Sequence, residues 1–252
     1  MRRTLPLALV AAALLFLHVA NRAGTSEEEL WAHRNLGKAF YENPTTLGLA
    51  VEEFRNALEL APGSPRERLN YGLALLRNHQ TLEGIGELEK VQKQDPKLPH
   101  TWFNLAIAYK RLGQYDKAVE QFRGMLRLVP DDPVSHFNLG LIYKLREDAE
   151  AALREFEAAL ELDPDLVAPR FQIFNTLREN DRSEEAERAL QLFRAAKARK
   201  TDADESEDME WNVYAEVYDP IDPSAADDPG PPGSLKFQDR ALEGRRKRKP
   251  RE

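Results

Sequence analysis
Asn35, Asn70, Asn104 and Asn138 stand at intervals of 34 or 35 residues, and Gln172 continues the series. A carboxamide offers two donors and an acceptor, so a row of them can pair with an extended peptide backbone without reading its side chains. Cations recur a few residues further on, at Arg77, Lys110, Arg111, Lys144 and Arg178. Catalytic signatures are missing by contrast. The five histidines are scattered, and His100 and His136 have no metal-ligand neighbour three or four residues away. There is no HExxH, P-loop or dinucleotide glycine motif, and Gly84-Ile85-Gly86 reads as helix packing. The expected chemistry is non-covalent: no enzyme, no cofactor, no metal.

The elements that must hold this series repeat with the same period. Pro62, Pro96, Pro130 and Pro164 lie 34 residues apart. Before Pro130 stand Trp102, Leu105, Ala106 and Tyr109, then Ala118 and Phe122. Before Pro164 stand His136, Leu139, Gly140 and Tyr143, then Ala152, Phe156 and Ala159. The earlier segments keep Gly72, Leu75, Gly84 and Leu88, and Leu36, Gly37, Phe40, Ala50, Phe54 and Ala57, with one extra residue near Pro44. Large residues at this spacing mark two buried helical stripes per period. A small residue lets the partner helix approach, Gly113 can end a first helix with positive φ, and proline ends the second. Asp131 or Asp132 can cap the helix that follows, with Pro133 in its first turn.

Trp102-x2-Leu105-Ala106-x2-Tyr109 with Ala118-x3-Phe122 and Pro130 resembles the tetratricopeptide repeat family. The resemblance covers roughly residues 27–200: four repeats and a degenerate fifth (Ile173, Phe174, Leu177, Ala186, Leu190, Phe193) that lacks the proline and would cap the stack. It implies an all-α, right-handed superhelical solenoid of helix hairpins whose first helices line a concave groove. In that family the second, fifth, sixth, ninth, twelfth and thirteenth repeat positions face the groove. The sixth is the amide series. The fifth and ninth give Leu69, Leu73, Phe103, Ile107, Phe137, Leu141 and Phe171, and the last two give the cations. The resemblance therefore implies an amide ladder, an apolar floor and a basic edge, suited to an extended peptide with hydrophobic anchors and negative charge. The runner-up is an assembly module working through its convex face or edges. Some members hold a partner's C-terminal carboxylate with a basic-amide clamp. Here Arg34 and Asn70 match it, while Lys38, His100 and Asn104 depart from it.

The flanks differ in kind. Arg2 and Arg3 precede an apolar run from Leu5 to Ala20. As a helix it would span roughly 24 Å, short of a ~30 Å hydrocarbon core, which fits a secretory signal better than a full span. Residues 1–24 are thus a cleaved signal or an uncleaved anchor, and either places the rest outside the cytoplasm, periplasmic or secreted, with membrane contact through this segment. The absence of cysteine excludes disulfides, thiolate metal sites and a lipid-modified cysteine. The net charge of −7 argues against general nucleic-acid binding.

Residues 201–252 form an acidic, proline-rich linker with a basic end. Eleven acids and no Lys or Arg fall between Asp202 and Asp228. Within it EWNVYAEVYDP (Glu210 to Pro220) could place Trp211, Tyr214, Val217 and Tyr218 on one helical face. That face would cover the last repeat, or the segment would visit the basic groove and compete with partners. SLKFQDRAL (Ser234 to Leu242) resembles the opening strand of an FG-GAP-like propeller blade. This second resemblance implies a regulatory appendage of a separately encoded propeller-type protein. RRKRKPR (Arg245 to Arg251) could bind anionic lipid or stay solvated.

Overall fold
The computed structural model describes residues 26–199. The expected signal or anchor and the whole tail lie outside the described residues. What is described is helical throughout: α1 over 26–42, then α2 (Leu47–Leu60), α3 (Pro65–Arg77), α4 (Thr81–Gln94), α5 (Pro99–Arg111), α6 (Tyr115–Leu128), α7 (Pro133–Leu145), α8 (Ala149–Leu162), α9 (Ala168–Glu179) and α10 (Ser183–Arg199). The first helix of each later pair packs against its own partner and against the second helix of the preceding pair. The result is the all-α solenoid of hairpins. The extra residue of the first repeat is absorbed in a 3₁₀ turn, Pro44–Thr46, where the Asn43 side chain accepts from the Thr45 N–H at 3.0 Å.

Each boundary proline stands two residues beyond a second helix. The intervening Ala61, Asp95, Val129 and Asp163 sit at φ between −132° and −138°, outside the helical region that a following proline disfavours. The proline carbonyls are not left open either. Arg68 Nη2 donates to the Pro62 carbonyl at 3.0 Å, Trp102 Nε1 to Pro96 at 2.8 Å and Arg170 Nη2 to Pro164 at 2.7 Å. The fourth repeat position, where tryptophan stands once, is thus a recurring donor. It also ties the hairpin across: His33 lies 2.6 Å from Glu53, Arg68 2.7 Å from Glu87 and His136 2.7 Å from Glu155.

First helices begin on proline. Pro65, Pro99 and Pro133 hold the first turn, where a missing N–H costs nothing. Ser64 and Asp132 cap two of these helices, Asp132 accepting the Ser135 N–H at 3.0 Å. Each first helix from α3 onward ends on one left-handed residue. Gly113 has φ 71°, as expected, but the same place is taken by His79 (62°), Glu147 (61°) and Asp181 (58°). The next N–H in each case closes on the carbonyl five residues back, as in Gln80 to Leu75 and Asp148 to Tyr143. Ordinary side chains therefore bear a conformation that glycine adopts without cost.

The core lies between the helices of each pair. Phe54, Leu88, Phe122 and Phe156 are fully buried on the second helices, each contributing about 2–3 kcal/mol of burial. They are received by small residues opposite. A Cβ placed on Gly72 would lie 3.0 Å from Leu88, and one on Gly140 would run into the Phe156 ring. Among the described residues no helix is long and apolar enough to cross a membrane.

Candidate peptide-binding face
The expected groove residues sit on α1, α3, α5, α7 and α9, in register from one hairpin to the next. Their exposure is uneven. Asn35 is exposed, whereas Asn70, Asn104 and Asn138 are 1%, 8% and 0% exposed. A buried amide must spend its hydrogen bonds locally. Asn104 Nδ2 donates to the His100 carbonyl at 2.8 Å, and Asn138 Nδ2 to the Val134 carbonyl at 2.9 Å, each one turn back. Two amides of the row thus each place one donor within their own helix.

Most residues of the expected apolar floor are buried. Phe103 is fully buried edge-to-face on Phe122, ring centroids 6.0 Å apart, and Phe137 lies 5.8 Å from Phe156. Leu69, Leu73 and Ile107 are core residues too. Leu141 is half-buried, and Phe171, on the last pair, is 41% exposed beside Phe174 and Phe193. The fifth position carries large rings, and a large ring finds more contact inward, against the partner helix, than across a shallow surface.

The basic edge is in register with the amides. Lys110 Nζ lies 2.7 Å from Asn138 Oδ1 of the next repeat. One period on, Lys144 Nζ lies 3.4 Å from Gln172 Oε1 and 3.1 Å from Glu179. Arg77 sits over the Tyr41 ring at 4.4 Å, and Arg178 over Phe174 at 5.4 Å. Arg111 is exposed. The residues matching the carboxylate clamp are brought to other work: Arg34 forms an ion pair with the fully buried Glu67, its Nε at 2.9 Å, and Asn70 is buried.

The electrostatics follow from burial. His100, 6% exposed, is pushed down to about 4 by desolvation. His136 is raised above its ordinary value, chiefly by its hydrogen bond to Glu155. Burial, helped by a 2.6 Å bond to Glu89, raises the Tyr109 hydroxyl. Nothing here pairs a nucleophile with a base, and no group of three or more His, Asp or Glu among the described residues could hold a metal.

The sequence reading missed one feature, a cleft of about 730 Å³ lined by Asp116, Glu120, Arg123, Arg127, Tyr143 and Arg146. Arg123 donates to Tyr143 at 2.8 Å and Arg146 meets Asp116 at 2.9 Å, so its charges are largely balanced. The 34-residue pattern holds no signal for it, because most of these residues are particular to one repeat.

Residues 103–167 match the family model for the tetratricopeptide repeat. No curated protein matches the sequence. Among solved structures, a MamA RS-1 ArsTM double mutant is 17% identical with a TM-score of 0.64, covering 70% of this chain and 98% of its own. MamA 41-end from Desulfovibrio magneticus RS-1 is also 17% identical, TM-score 0.62, covering 69% and 98%. A further MamA structure is 14% identical, TM-score 0.62, covering 71% and 97%. At such identity the likeness is one of fold. Together with the 34-residue period and the hairpins, it shows that the described residues have the fold of a tetratricopeptide repeat solenoid, and the family model matches residues 103–167 of it.

Proposed function
We propose that this chain is a non-enzymatic scaffold that binds an extended, acidic peptide of a partner protein along the first-helix face, outside the cytoplasm. A tetratricopeptide solenoid is a protein-interaction fold, and that much rests on the family. The finer reading rests on one observation: the cations of successive first helices stand in one line, each oriented by the amide of the following repeat, Lys110 by Asn138 and Lys144 by Gln172. A row of cations at this spacing complements carboxylates spaced along a peptide, and Lys144, which also meets Glu179 at 3.1 Å, would exchange that partner for a ligand carboxylate. The buried asparagines then act as positioning groups for the cations, and the peptide is met mainly by Lys110, Arg111, Lys144 and Arg178. Phe171 supplies an aromatic contact at the end of the row. The location is supported by the Arg2-Arg3 pair and the apolar run to Ala20.

The test is selection from a displayed library of random peptides on the full chain and on its Lys110→Glu, Arg111→Glu, Lys144→Glu variant. Acidic peptides with aromatic anchors are expected on the first and lost on the second. Equal enrichment on both overturns the reading and moves the binding surface to the second helices or the edges.

A further inference from the structure
The centre of the first-helix face has an unusual chemistry. Asn70, His100, Asn104 and Asn138 are all buried there, and cations flank them at Arg66, Arg77, Lys110 and Arg111. A stripe that combines polar side chains with positive charge fits a covering segment that is itself polar and negative.

The chain carries a segment of that chemistry. EWNVYAEVYDP has three acids, Glu210, Glu216 and Asp219, and no Lys or Arg. It lies within the stretch from Asp202 to Asp228, which holds eleven acids and no base. Trp211, Tyr214 and Tyr218 add rings with polar tips, able to sit against a partly apolar stripe and still hydrogen-bond. From Arg199, the end of α10, to Glu210 is eleven residues, which reach roughly 35–40 Å when extended. Two repeats of helices packed about 10 Å apart lie between α9 and α5, so the reach suffices.

We propose that residues 210–220 occupy the first-helix face of their own chain, over α3, α5 and α7, and that a partner's acidic peptide must displace them. This rests on the reading of that face as the peptide site and adds its regulation: the tail sets a threshold that weak acidic sequences fail to cross. Tethering supplies the tail at an effective concentration of the order of millimolar, so it need bind only weakly on its own.

The test places p-benzoylphenylalanine at position 214 of the full chain, in place of Tyr214, and maps the photo-adducts by mass spectrometry. The expected adduct is intramolecular, falls within α3, α5 or α7, persists on tenfold dilution, and is lost when Lys110, Arg111 and Lys144 are changed to Glu. An adduct on α9 or α10 means that the segment covers the last repeat and overturns the proposal. So does an adduct between two copies, or no adduct. A labelled peptide spanning residues 208–220 is then titrated into the full chain and into its Trp211→Ala, Tyr214→Ala, Tyr218→Ala variant. The variant is expected to bind it at least tenfold more tightly. Equal affinity overturns cis occupancy. The library selection reports separately on the face itself, so a retained selection with no adduct removes only the tail's role.

Discussion

Lys110 of α5 and Asn138 of α7 meet at 2.7 Å, and one period later Lys144 and Gln172 repeat the contact at 3.4 Å. The amide is buried and the ammonium half-buried, so the pair joins packing to the charged edge. Asn138→Ala should cost about 1–3 kcal/mol in urea unfolding, since it also leaves the Val134 carbonyl without this donor. A double-mutant cycle with Lys110→Met should give a coupling of about 0.5–1 kcal/mol. Strict additivity would mean the contact has no energetic weight.

Gly140 faces the Phe156 ring with no room for a Cβ. Gly140→Ala gains helix propensity of about 1 kcal/mol yet should still destabilise, because overpacking costs about 1–3 kcal/mol. Adding Phe156→Leu should recover part of the loss. A thermal melt of the three chains decides this, and a stabilised Gly140→Ala would refute the close approach.

The left-handed residues offer gains. Glu147→Gly and His79→Gly should each stabilise by about 0.5–1 kcal/mol, relief of strain partly offset by the freer unfolded chain. Gly113→Ala should destabilise by about 1 kcal/mol or more. Denaturant midpoints at fixed slope are the measure.

The histidines titrate in opposite directions. His100 falls from 6.5 to about 4 in the folded chain, so the unfolded chain binds the proton first as pH drops. Stability is therefore lost between about pH 6.5 and 4, by about 2 kcal/mol at pH 5. His136 is raised, so its contribution is present below its unfolded value and fades as pH climbs through its folded one. Comparing urea midpoints at pH 7 and 5, His100→Asn should show a smaller acid loss than the native chain. His136→Asn should show a larger one.

The fold was legible because its punctuation is chemical. Proline cannot continue a helix and Gly113 tolerates positive φ, so Pro62, Pro96, Pro130 and Pro164 mark the hairpins in the sequence itself. His79, Glu147 and Asp181 were not legible by residue type, since nothing about a glutamate announces a left-handed backbone. Their distance of one or two repeat periods from Gly113 is the signal. The fourth position was read as a large packing residue. Its donor role emerged only from Arg68, Trp102 and Arg170 on the proline carbonyls. The face was legible in its register along the helices. Repeat position told that Phe103 and Asn104 lie on first helices, while side-chain size and the i−4 carbonyl decided that Phe103 turns to Phe122 and Asn104 to His100.

The most direct measurement of the central claim is the affinity of one selected acidic aromatic peptide for two chains. Both carry Trp211→Ala, Tyr214→Ala and Tyr218→Ala, and one also carries Lys110→Glu, Arg111→Glu and Lys144→Glu. The account predicts saturable one-to-one binding to the first and affinity at least tenfold weaker for the second. Equal affinity for both would contradict it.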